Sequence, residues 1–168
     1  TSLVLCSFSG TTRGTQVFSM REDGAPPVAE PELDQGAPTL SIGFMGRAGI
    51  VQVTDEALHL VPALGLGSAA AASLPQRWNP SSAKSLSIGA AAVCEFASLV
   101  AVGVGSELIC CCPSTSGSDS PFKEVGPRFT CDGGQTAALT FFTPTRGHAD
   151  GRSVFLGYAE WGSNRVGL

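Results

Sequence analysis

Between Pro38 and Val61 apolar and polar side chains alternate, with apolar positions at Leu40, Ile42 and Phe44, at Ile50, Val51 and Val53, and at Leu58 and Leu60. Successive side chains of a strand leave opposite faces, so a period of two marks strands with one face turned to a core. Three strands are predicted here, separated by Gly46-Arg47-Ala48-Gly49 and by Asp55-Glu56-Ala57. Both connections are short enough for antiparallel hairpins, and the stretch reads as a meander.

The same pattern returns along the chain. Leu40-Ser41-Ile42 is echoed by Leu86-Ser87-Ile88 and by Leu139-Thr140-Phe141, at intervals of 46 and 53 residues. Ile50 to Thr54 is echoed by Leu99 to Gly103 and by Val154 to Tyr158, and Leu58 to Val61 by Leu108 to Cys111 and by Arg165 to Leu168. A fainter copy opens the chain, where Leu3 to Phe8 is followed by Thr15 to Met20, with a short edge strand expected near Val28. Repeats of roughly 40 to 50 residues with several strands each are the signature of propeller blades, and one such meander cannot bury both its faces alone. The expected fold is all-β, a partial β-propeller of about three blades plus an N-terminal hairpin, with units near 1–36, 37–83, 84–135 and 136–168. Because the chain starts and stops inside predicted strands, it is expected to be a segment of a longer multi-propeller protein.

Composition narrows the function. Of 168 residues, 43% are hydrophobic and 14% charged, which is too apolar for a disordered chain. The formal net charge is −4 and no Lys/Arg cluster exceeds a pair, so a grip on phosphate backbones is not expected and protein partners are. The longest apolar run, Ile88 to Val104, is broken by Glu95 and Ser98 and falls short of a membrane-spanning helix. Pro62 to Pro75, rich in Gly, Ala and Ser, reads as a linker or surface insertion, and Ser114 to Ser120 as a solvated loop.

Candidate chemistry is sparse. Cysteines 6, 94, 110, 111, 112 and 131 include no C-x-x-C pair and read as reduced, small hydrophobes. Gly103-Val104-Gly105 follows a strand, but Leu108 stands where a third glycine is needed and another strand follows where a helix is required. Cys131 before Asp132-Gly133-Gly134 is the one candidate nucleophile, with His59 or His148 as base; a chymotrypsin-like cysteine hydrolase is the reading of a different class. Phe129-Thr130 ahead of it supply no glycine turn for an oxyanion hole. His59, between Leu58 and Leu60, is expected on the solvent side of its strand, and His148 in a polar loop. No catalytic residue, metal site or cofactor is expected. The isolated Trp78 is predicted to anchor against the next blade. Arg13 and Trp161 are the residues picked for partner contact or for defining a blade, since Arg and Trp are enriched at interface hot spots.

Ser7-Phe8-Ser9-Gly10-Thr11-Thr12-Arg13, the 39–61 meander, Arg77-Trp78, and Lys84-Ser85-Leu86-Ser87 running into Leu99 to Gly103 stand in an order and spacing that resemble one superfamily. It is the second β-propeller shared by damaged DNA-binding protein 1, the large subunit of the cleavage and polyadenylation specificity factor, and the propeller subunit of splicing factor 3b. Leu139 to Pro144 followed by Phe155 to Trp161 looks most like the first of these, while Pro38-Thr39-Leu40-Ser41 leans toward the splicing member. The resemblance implies a non-enzymatic, nuclear protein-interaction scaffold. Its partners would be a cullin-type ubiquitin ligase arm or RNA-processing subunits, in DNA repair or RNA processing. Nucleic acid would be reached only through the larger assembly, and neither a membrane nor a small-molecule substrate is implied.

Overall fold

The structure is a computed structural model; it describes residues 2–8, 14–20, 23–29, 36–61, 76–80, 87–114, 119–143, 153–162 and 166–167. These residues form four antiparallel sheets in chain order. The first is β1(Ser2–Phe8), β2(Gly14–Met20) and β3(Val28–Ala29). The second is β4(Thr39–Phe44), β5(Ile50–Thr54), β6(Leu58–Val61) and β7(Gln76–Trp78). The third holds β8(Ile88–Cys94), β9(Leu99–Val104) and β10(Glu107–Pro113), edged by β11(Phe122–Glu124) and β12(Phe129–Thr130), both paired with β10. The fourth is β13(Thr136–Phe142), β14(Phe155–Glu160) and β15(Val166–Gly167). Among the described residues the only helical turn is a 3-10 turn at Gly46–Ala48, and no helix is long and apolar enough to cross a membrane. The architecture is an all-β, partial β-propeller.

The chain divides into two compact units, Thr1–Thr39 and Leu40–Leu168. In the first, the Thr15 hydroxyl is buried; it donates to the Ala37 carbonyl at 3.1 Å and accepts from the Thr39 amide at 2.7 Å. That pair of bonds ties the segment after the sheet back onto β2.

In the second unit the core lies between the second and third sheets. Met45, Val51, Val53, Leu58 and Leu60 meet Ile88, Val100, Val102, Val104, Ile109, Cys111 and Phe122 in one buried cluster. Register explains the grouping: Val93, Val100 and Cys111 lie side by side across the third sheet, as do Ala91, Val102 and Ile109, all on the face toward the second sheet. On the opposite face, which turns toward β13, the inner strands carry the small residues Ala90 and Gly103, and the row continues outward with Leu108 and Phe129. Because both faces are covered, β9 is buried along nearly its whole length and β5 and β6 almost equally.

Two devices join successive sheets, and each occurs twice. The first amide of an inner strand donates to the turn between the second and third strands of the preceding sheet: Ile88 N to Asp55 O at 2.8 Å, and Thr136 N to Gly105 O at 3.0 Å. The accepting turns are themselves fixed. The Thr54 hydroxyl accepts from the Glu56 and Ala57 amides and donates to the Ala57 carbonyl, and Gly105 takes a positive φ of 59° that costs glycine nothing. The second device is a glycine where one sheet's backbone meets a side chain of the next. A Cβ on Gly43 would collide with Val93, and one on Gly103 would lie 2.6 Å from the Thr136 Cβ.

The sheets also depart from the sequence-based expectation. Trp78 is not isolated: Gln76–Trp78 is a fourth strand pairing with Leu58 to Leu60. The third sheet gains β11 and β12, too short at three and two residues to show alternation. Between them Arg128 grips Glu124 through two bonds, Nη2 to Oε1 at 2.6 Å and Nε to Oε2 at 3.0 Å, and reaches Glu107 at 3.4 Å. The Val125 amide bonds the Cys110 carbonyl at 2.8 Å, so the edge stays attached where the chain bulges.

Replacing Gly103 with Ala forces Thr136 and β13 outward and is expected to cost about 1–3 kcal/mol, as overpacking does. Gly89→Ala, whose Cβ would find nothing nearer than the Thr136 carbonyl at 3.4 Å, is the control and should cost less. Urea denaturation of the two variants measures the difference.

Candidate partner-binding faces

The meander connectivity sorts the turns of the second unit into two ends. At one end lie the β4–β5 turn, the β8–β9 turn, the end of β13 and the start of β14; at the other lie the β5–β6 and β9–β10 turns and the end of β14. Each end carries exposed aromatic side chains. At the first, Phe44 and Phe96 are 53% and 74% exposed, and the Phe44 amide donates to the Glu95 carboxylate at 2.8 Å, which links the ends of adjacent sheets. At the second, Trp161 is 67% exposed while its amide is held by the Gln135 carbonyl at 2.8 Å. An exposed aromatic on a fixed backbone has the character of an interface anchor, because little conformational freedom is lost when it is covered.

Between the third and fourth sheets the small inner residues let the backbones close up, and the space widens outward into an apolar groove of about 320 Å³. Leu108, Phe129 and Cys131 line one wall; Val154, Leu156 and Tyr158 line the other. The space between the second and third sheets is instead filled to its outer edge. There Trp78 is half-buried with its ring 5.9 Å from that of Phe122, tilted by 47°.

The predicted site residues are thus distributed rather than gathered. Trp78 belongs to the outer strand of the second sheet and Trp161 to the turn beyond β14. Arg13 lies outside the described residues, as do His148, the whole of Pro62 to Pro75 and the middle of the Ser114 to Ser120 loop. Phe44, Phe96 and Phe129 were not among the sequence candidates. Phe44, as a member of an alternating pattern, reads as core; the three are exposed by their places at a strand end, in a turn and on an edge strand.

Two chemical candidates take definite positions. Cys131 is buried, its amide bonded to the Ser106 carbonyl at 2.7 Å and its Sγ 3.8 Å from the Thr136 Oγ1. Burial pushes its thiol up, further raised by the Glu160 and Asp132 charges and only partly offset by the Thr136 contact, the opposite of an activated nucleophile. The expectation for His59 is corrected: it is buried, not solvent-facing, because its strand is covered on both faces. It stands opposite Gln52 on β5 and Arg77 on β7. Among the described residues no group of three His, Cys, Asp or Glu side chains could hold a metal ion.

Meanders of three to five strands that stack through repeated backbone bonds define a β-propeller segment, and among the described residues the exposed aromatic side chains are spread over both of its ends. Comparison with known families gives the same class and makes it particular. The family model described as the RSE1/DDB1/CPSF1 second beta-propeller matches residues 1–166, and the chain belongs to that family. No match was found among curated proteins. Propeller domains of this family are protein-interaction scaffolds, and this chain is a β-propeller scaffold with protein partners.

The two tryptophans should respond oppositely to truncation. Trp78→Ala removes the ring that closes the filled side of the third sheet and is expected to cost about 2–4 kcal/mol, below the range for a wholly buried Trp. Trp161→Ala should fall within about 0.5 kcal/mol of the parent, as exposed positions do. Chemical denaturation of each variant, followed by circular dichroism, separates the outcomes.

Proposed function

We propose that this chain is part of a non-enzymatic nuclear scaffold of the damaged DNA-binding protein 1 type, presenting protein-binding turns to a cullin-type ubiquitin ligase arm. The observation that carries the reading is the family match across residues 1–166, joined to the sequence Leu139 to Pro144 and Phe155 to Trp161, which resembles that member most. Those segments form β13 and β14, so the likeness falls on one sheet. Trp161 is assigned as the exposed anchor of that sheet, and Arg13 is assigned to partner contact. Trp78 is assigned to anchoring between sheets. The net charge of −4 supports contact with nucleic acid only through the larger assembly.

A second reading, a scaffold of splicing or polyadenylation complexes, is favoured by Pro38-Thr39-Leu40-Ser41 at the start of the second sheet. Affinity purification of the tagged protein from nuclear extract discriminates the two. A cullin in the precipitate, reduced at least tenfold by Trp161→Ala with the fold intact, is the expected result. Spliceosomal or polyadenylation subunits in its place would overturn the first reading in favour of the second.

A further inference from the structure

The pairing of β6 with β7 places a buried histidine against a cation. His59 stands directly across from Arg77, and Arg77 is held on the outside by Glu56 through an exposed ion pair of 3.2 Å. The neighbour on the other side is the neutral, fully buried Gln52 of β5. Among the described residues, the charged groups that act on the ring are Arg77 and Glu56.

We propose that this His59–Arg77 pair is a protonation-operated latch, which holds β7 against β6 while the imidazole is neutral and releases β7, with Trp78, when it gains a proton. The mechanics follow from what each strand can give up. A charge on His59 would be buried and would face a like charge directly across the strand pair, a destabilising arrangement. Moving β6 would expose Leu58 and Leu60 of the core. Moving β7 breaks three residue pairs at a sheet edge whose residues are already exposed or half-buried. The edge is the cheaper site of relief. Its departure lifts Trp78 from Phe122 and bares an apolar strip beside an unpaired strand, a surface suited to an extended partner segment.

Burial is the largest influence on the ring and Arg77 the next; both hold its pKa below the ordinary imidazole value, against a smaller opposing effect of Glu56. In the released state the ring regains a value near 6.5. The released state therefore binds more protons between the two values. The latch is fully closed above about pH 6.5 and weakens as pH falls through that window toward the depressed value.

The chain has two tryptophans, so Trp161→Phe leaves Trp78 as the single reporter. In that background, lowering the pH from 8 to 5 should shift the Trp78 emission reversibly to longer wavelength, with far-ultraviolet circular dichroism largely kept. His59→Gln should abolish the shift. Arg77→Gln, a change at an exposed side chain, should reduce the shift without abolishing it, since burial remains, while moving the His59 titration, read by nuclear magnetic resonance, upward. Constant emission, an equal shift in both variants, or loss of the whole dichroism signal together with the shift would overturn the proposal.

Discussion

The structure depends on how one sheet is locked to the next. A meander of three or four strands has two faces, and a chain that is 43% hydrophobic has apolar side chains for both. Burying them requires neighbours on either side, which only a stacked series of sheets provides. The lock that makes stacking specific is the bond from the first amide of an inner strand to the preceding sheet's turn, seen at Ile88 to Asp55 and again at Thr136 to Gly105. A lateral slide of one sheet would orphan these groups. The contacts of Gly43 with Val93 and of Gly103 with Thr136 set how closely the backbones approach.

Much of this order was legible in the sequence, where the alternation is strong. Leu99 to Val104 and Leu58 to Val61 were found because long apolar patterns admit few alternatives, and the first hairpin and its edge strand at Val28–Ala29 because a turn and a proline-bearing link bracket them. The outer strands β7, β11 and β12 were not, for two or three residues cannot display a period. His59 shows a second limit. A polar residue between two leucines signals solvent only where one face of the sheet is open, and β6 has no open face. Exposure of Phe44, Phe96 and Phe129 was equally hidden, since it arises from strand ends and edges that tertiary structure alone defines.

Function follows from the division between a locked backbone and the exposed side chains it carries. The inner strands and the turns that accept their first amides fix one sheet on another, while the side chains of Phe44, Phe96 and Trp161, at strand ends and turns, stand in solvent. Such an arrangement lets partner-binding residues vary while the scaffold stays constant. The third sheet shows how the two sides of a blade differ. Toward the second sheet it is filled out to Trp78 and Phe122, while toward the fourth it opens into the groove between Phe129 and Tyr158.

Whether the lock is real is decided most directly by native-state hydrogen exchange at the amides of Ile88 and Thr136. Both are predicted to exchange only in the same cooperative opening as the β9 core amides, with matching protection. Exchange at Ile88 and Thr136 as fast as at the exposed turn residue Gly126 would show that the sheets are not joined by these bonds, and the account of the stack would fail.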